Sequence, residues 1–202
     1  MNAADAIFRL QSLKAPALTT ADAALLFGVS VAAANRMLGR AEKSGLVRRI
    51  KHGLWAIDPK LDALRAVPYL TAPYDAYVSL HSALYLRGLS TQIPSVTYVV
   101  SLARPRLLQT AVGTFSIHRL APELFGGFEV LDSGVRLATA EKALFDYFYL
   151  SAVGGADVFA ALPEIEGKLK RGALRGWMAR IASRRVRTLV ERRFLELQRR
   201  SS

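Results

Sequence analysis

The chain has 202 residues, 51% of them apolar, with no cysteine, a formal net charge of +12 and a sequence pI near 10.5. That composition folds, and it excludes a disordered tail, a disulfide framework and a thiolate metal site. The first thirteen residues include Asp5 and lack a basic start followed by an apolar run, so no signal peptide is expected, and no apolar stretch reaches the ~20 residues that span a bilayer. The expectation is a cytoplasmic protein with no membrane partner and no cofactor.

A basic excess attracts polyanions, and its distribution says where. Residues 1–67 hold ten cations against five anions, a balance of +5. Residues 68–167 come to −3, and residues 168–202 to +10. The ends are basic and the middle is mildly acidic. Two domains are expected, 1–67 and 68–202, with basic helices over about 155–202.

At the N-terminus, Ala3, Ile7 and Leu10 share a helical face that Pro16 terminates. Thr19 or Thr20 caps a second helix through Leu25 and Leu26. Gly28 supplies the positive φ at its end, and Ser30 caps the next helix. That third helix, 31–44, buries Val31, Ala34, Leu38 and Ala41. Its other side carries Ala32, Asn35, Arg36, Arg40 and Lys43. Arg36, Arg40 and Lys43 follow the i, i+4, i+7 spacing that projects three cations together, and small residues at the helix start permit close approach. Such a helix fits a DNA major groove. Two β-type runs, 46–50 and 54–57, then flank the Gly53 turn as a hairpin with Arg48, Arg49, Lys51 and His52 at its basic tip. Three helices and a hairpin make a winged helix-turn-helix, so the expected DNA-binding site is Ser30, Ala32, Asn35, Arg36, Arg40 and Lys43, with the N-terminal residues of the helix at base edges and the wing on phosphates.

Beyond this module, 58–73 reads as a proline-punctuated connector and 74–87 as a helix ending at Gly88. Strands are predicted over 96–100, 114–120, 128–131 and 135–137, and a helix over 139–150. Gly126-Gly127 reads as a plain turn. Lys142 and Asp146 have the spacing of an ion pair along that helix. The expected class is α+β, with a winged helix-turn-helix followed by a mixed α/β domain and a helical C-terminus.

The string Ser79-Leu80-His81-Ser82-Ala83-Leu84-Tyr85-Leu86-Arg87-Gly88-Leu89, then Gln92-Ile93-Pro94, then Thr139-Ala140-Glu141-Lys142-Ala143-Leu144-Phe145-Asp146, resembles the AbiEi-type antitoxins. The resemblance covers roughly residues 18 to 150 and includes Gly45-Leu46-Val47 and Trp55. It implies an abortive-infection, type IV toxin–antitoxin protein with an N-terminal winged helix and an α/β antitoxin domain. It further implies repression of its own operon and an antidote role toward a nucleotidyltransferase-like toxin encoded beside it. Double-stranded operator DNA with inverted repeats is the implied partner. Ser82, Gly88, Glu141 and Lys142 are expected to serve as caps, a turn and a surface ion pair.

In the C-terminal part, Leu174, Trp177, Met178 and Ile181 form one helical stripe, and Val186, Leu189, Val190, Phe194 and Leu197 another. Arg184, Arg185, Arg192 and Arg199 lie opposite the second stripe. They make a second candidate polyanion surface, since guanidinium suits bidentate phosphate contact. No histidine pair has metal-ligand spacing, and neither a P-loop nor a dinucleotide fingerprint is present. The sequence therefore reads as a DNA-binding protein that is not an enzyme. Two other readings stay open: a protein- or RNA-interaction module with basic ends, and an enzyme built on an unrecognised acid/base pair such as His81 with Asp75 or Glu141.

Overall fold

Thr19 opens the helix Thr20–Phe27 with a capping box. Its hydroxyl accepts from the Asp22 amide at 3.1 Å, and the Asp22 carboxylate accepts from the Thr19 amide at 2.9 Å. In this computed structural model, residues 8–10, 12–13, 15–154, 165 and 171–200 are described. The class is α+β. The chain divides into two compact units, the first made of 1–70 with 109–113 and the second of 71–108 with 114–202.

Unit 1 runs β1 (Ala17–Thr19), α1 (Thr20–Phe27), α2 (Val31–Lys43), β2 (Arg48–Lys51), β3 (Leu54–Ala56) and α3 (Ala63–Thr71), whose last residue begins the second unit. The strands form an antiparallel sheet in the order β1-β3-β2. A core of Leu18, Ala23, Phe27, Ala34, Leu38 and Trp55 closes helices onto sheet. Trp55 has no exposed surface, and its indole N–H donates to the Thr20 hydroxyl at 2.9 Å, which satisfies the one polar atom its burial would strand. Residues 109–113 complete this unit, with the Ala111 amide donating to the Ile50 carbonyl at 3.0 Å.

Two expectations change here. The segment 58–73 is not a plain connector, because 63–71 is helical despite Pro68. Pro68 gives up one intrahelical bond on an exposed position, while Ala66, Val67 and Leu70 are buried and hold the turn. The strand β1 had no periodic signature, and its three residues are extended because they pair with β3.

Unit 2 carries β4 (Ala76–Val78), α4 (Leu80–Leu86), β5 (Thr97–Ser101), β6 (Arg106–Thr110), β7 (Gly113–Arg119), β8 (Phe128–Val130), β9 (Arg136–Ala138), α5 (Ala140–Gly154), α6 (Arg171–Ala179) and α7 (Arg184–Arg200), the β6–β7 tip belonging to unit 1. The sheet order is β6-β7-β5-β4-β9-β8, with β4–β9 and β5–β7 parallel. The single helix expected over 74–87 is instead the central strand β4 followed by α4. Ala76, Tyr77 and Val78 are fully enclosed between β5 and β9, so sheet pairing overrides their helical spacing. Asp75 therefore precedes a strand, and it pairs with Arg136 across to β9 and not with His81. Ser82 is no cap: inside α4 its hydroxyl accepts the Tyr98 amide at 2.9 Å and ties the helix to β5.

The largest correction concerns Lys142 and Asp146. They do pair, but both side chains are 0% exposed. The Lys142 ammonium donates to Asp146 Oδ1, while Asp146 Oδ2 accepts from Ser79 Oγ at 2.7 Å and from the Tyr77 hydroxyl at 2.9 Å. The ammonium also lies 4.5 Å from the Trp177 ring centroid and 5.0 Å from that of Phe145. Burial lowers the lysine from its ordinary value and raises the carboxyl; their mutual attraction and the hydrogen bonds onto the carboxylate oppose both shifts. Nor is Gly127 a plain turn residue. At φ 72, a Cβ there would lie 2.6 Å from the Trp177 ring and 2.9 Å from Lys142 Cγ, so glycine is what lets the tryptophan close over the pair.

Removing one member of a buried pair leaves the other charge uncompensated. Lys142→Met is expected to destabilise the protein by about 3–5 kcal/mol in urea unfolding. The double replacement Lys142→Met with Asp146→Leu is expected to cost less than the single one; a larger loss would show that the hydroxyl donors, not the charges, dominate the cluster.

His118 on β7 shares a 2.8 Å hydrogen bond with Ser116 Oγ, and its imidazole is pushed down to about 4 by burial and then by the neighbouring His81. The folded chain thus keeps this ring neutral while the unfolded chain protonates it below ~6.5. The unfolded state binds more protons in that window, so stability is lost as pH falls from about 6.5 toward about 4, by up to roughly 3 kcal/mol. A His118→Asn variant is expected to lack this share of the acid sensitivity in unfolding curves taken across that range.

Candidate nucleic-acid interface

The turn between α1 and α2 is fixed by backbone chemistry alone. Gly28 sits at φ 67 and donates its amide to the Leu25 carbonyl at 3.2 Å, and Val29 donates to Ala24 at 3.0 Å, the paired bonds of a Schellman end. Ser30 then starts α2, its Oγ accepting from the Ala33 amide at 3.2 Å. The axes of α1 and α2 turn through 101° across this short break.

α2 buries Ala34 and Leu38 and packs Met37 and Ala41 beside them. Ala32, Asn35, Arg36, Arg40 and Lys43 are all exposed. At about 100° per residue they share one arc opposite the buried stripe, over a rise of about 16 Å. Val31, expected in the stripe, is 55% exposed instead, because the stripe starts at Ala34. Among the described residues, no carboxylate pairs with Arg36, Arg40 or Lys43. The outward face is polar and cationic, with Ala32 and Gly39 leaving room for close approach to another surface.

The hairpin is more selective than its sequence implied. Arg48 is exposed, but its Nη2 donates to the Leu61 carbonyl at 2.9 Å, so its guanidinium is anchored at one end. Arg49 is half-buried. Its guanidinium carbon lies 4.4 Å from the Trp55 ring centroid, its Nε is 3.9 Å from Glu42, and its amide donates to the same carboxylate at 2.9 Å. It joins the end of α2 to β2 instead of standing at the tip. Lys51 is half-buried and His52 is exposed at the turn. A bulge between Arg49 and Lys51 shifts the register against β3, which sets Arg49 opposite Trp55 and Lys51 opposite Leu54.

Glu42 is the residue that the sequence reading missed. It lies beside the cationic face of α2, where it would offset a positive charge, but Arg49 holds it. The signal was a Glu and an Arg seven residues apart across the Gly45 turn, a spacing that becomes a contact only once the chain reverses. In unit 2, α7 presents Arg184, Arg185, Arg192 and Arg199 as exposed residues, of which Arg192 pairs with Glu196 at 3.6 Å. No group of three or more metal-binding side chains occurs among the described residues, and no single helix among them is long and apolar enough to cross a membrane.

No curated protein matches the chain. Residues 5–57, which hold α1, α2 and the hairpin, match the family described as transcriptional regulator, AbiEi antitoxin. That N-terminal segment is similar to the AbiEi antitoxin transcriptional regulators.

Proposed function

We propose that unit 1 is a winged helix-turn-helix that reads duplex DNA through α2, and that the protein is a transcriptional regulator of the antitoxin type. The observation that carries this reading is the outward face of α2. Asn35, Arg36, Arg40 and Lys43 project together from a capped helix set at 101° to the one before it, the angle at which helix-turn-helix pairs present their second helix. The order of strand, helix, turn, helix and hairpin around one antiparallel sheet supports the winged form.

In this reading Ser30 and Ala32 bring the N-terminal end of α2 against the groove. Asn35 and Arg36 face base edges, where amide pairs with adenine and guanidinium with guanine. Arg40 and Lys43, further along the helix, meet phosphates, as do Arg48, Lys51 and His52 from the hairpin. Arg49 holds the hairpin in place. The regulator represses its own operon at an inverted-repeat operator and counters a nucleotidyltransferase-like toxin encoded beside it. It performs no catalysis, and it acts in the cytoplasm. The family match over residues 5–57 supports the regulator and antitoxin roles, and the α2 face supports DNA as the ligand.

Two measurements test this. On a duplex taken from the protein's own upstream region, Arg36→Ala is expected to cost about 1–3 kcal/mol, with little loss on unrelated duplex. Lys43→Ala is expected to weaken both duplexes alike and to reduce the salt slope by about one. Equal losses on both duplexes for Arg36→Ala would reassign it to the backbone. The regulator and antitoxin roles separate best by point variants, because residues 109–113 belong to unit 1 and a cut at residue 70 would remove part of it. The full-length Arg36→Ala, Arg40→Ala protein is expected to lose repression of a reporter while still protecting cells that express the neighbouring toxin. Loss of both would join the two roles in one surface.

A further inference from the structure

α7 sorts its arginines by direction. Val190 and Phe194 are buried against the rest of unit 2, with Val186, Leu189 and Leu197 half-buried beside them. Arg187 folds back, its Nε donating to the Ile181 carbonyl at 3.2 Å, and Arg193 is half-buried on the inner side. Arg184, Arg185, Arg192 and Arg199 are exposed. At about 100° per residue they fall within one arc of about 100°, and at 1.5 Å per residue they extend along about 22 Å of the helix. Arg192 shares its charge with Glu196. Among the described residues, Arg184, Arg185 and Arg199 have no carboxylate partner.

We propose that this outer face of α7 is a second contact to duplex DNA, made to the phosphate backbone and independent of sequence. The inference rests on the reading of unit 1 as a DNA-binding module. Three features favour phosphates over a protein partner. Every cation of α7 is arginine, the side chain whose planar fork matches phosphate oxygens in pairs. The exposed arc contains one apolar residue, Leu195, whereas a protein interface is built around a cluster of buried aromatic or aliphatic anchors. The stripe is also extended: about 22 Å of duplex axis presents on the order of a dozen phosphate charges, so separated arginines each find one.

The test uses the full-length protein with Arg184→Gln, Arg185→Gln and Arg199→Gln combined, which leaves the buried stripe untouched. A control with Arg104→Gln, Arg119→Gln and Arg175→Gln removes the same charge from other exposed positions. Binding to a duplex from the upstream region is followed over roughly 50 to 200 mM salt. Three lost phosphate contacts reduce the slope of log affinity against log salt by between about 2 and 3, so the wild-type affinity should fall about 40-fold more than the variant's over that range. The control is expected to keep the wild-type slope, and the α7 variant to keep its preference for the upstream duplex. An unchanged slope in the α7 variant overturns the proposal, as does an equal loss in the control, which would mark an effect of net charge alone. A loss confined to a single-stranded RNA probe also overturns it, in favour of an RNA-binding helix. Failure of the wild-type protein to bind duplex at low salt removes the reading of unit 1 together with this one, whereas loss of discrimination in Arg36→Ala with a flat result for α7 removes this one alone.

Discussion

Lys142 has no exposed surface, and the one carboxylate that answers its ammonium, Asp146, has none either. A buried charge pair is tolerated only when its remaining hydrogen-bonding capacity is met, and unit 2 is arranged to meet it. Tyr77 comes from the central strand, Ser79 from the first residue after it, and Trp177 and Phe145 close over the ammonium from α6 and α5. Burial and then the Asp146 charge raise Tyr77 well above its ordinary value, so it remains a phenol and a donor. The pair thereby fixes the register of α5 on β4 and the seat of α6 on both. Two backbone features lie nearby. Gly127 must lack a side chain for Trp177 to approach. Leu80 adopts φ 53, a left-handed conformation costing on the order of 1–2 kcal/mol, at the sharp exit from β4 that follows Ser79.

Unit 1 has a smaller centre of the same kind. Trp55 is the residue on which both the helices and the hairpin rest. Its N–H satisfies Thr20 at the start of α1, and its ring face carries Arg49, which in turn holds Glu42 at the end of α2. A single aromatic side chain thus fixes the position of the hairpin relative to α2. On the function proposed above, that relation sets whether α2 and the hairpin can meet one duplex together.

The sequence was readable where structure is local. The Thr19 cap, the Gly28 turn, the Ser30 cap and the outward cations of α2 depend on residues three to seven apart, and each stands where the spacing puts it. It was not readable where the deciding partner is distant. Ala76, Tyr77 and Val78 look compatible with a helix until β5 and β9 flank them. Lys142 and Asp146 have the same four-residue spacing in a solvated pair and in a buried one; what distinguishes them is Tyr77 and Ser79, more than sixty residues earlier. Gly127 reads as a turn because Trp177 lies fifty residues further along the chain. Arg49 falls between the two cases: its hairpin was legible, but the reversal that brings it to Glu42 and Trp55 was not.

The charge of unit 1 shows the same division between inner and outer chemistry. Its described carboxylates are all used locally. Asp22 closes the cap on Thr19, Glu42 is held by Arg49, Asp58 pairs with Arg65 at 2.9 Å, and Asp62 accepts from the Arg65 amide at 2.9 Å. Each such contact ties an anion to its own backbone or to an arginine away from the outer arc of α2. Arg36, Arg40 and Lys43 are left without an answering carboxylate, so their field is not cancelled at short range. An overall excess of cations would attract any polyanion from a distance. Segregation does more, because it gives the attraction a direction, along the outward face of α2. In α7 the same sorting is cruder: Glu196 sits among the arginines and takes up part of Arg192. On the functions proposed above, that contrast separates a surface that only follows a phosphate backbone from one that presents its side chains to base edges.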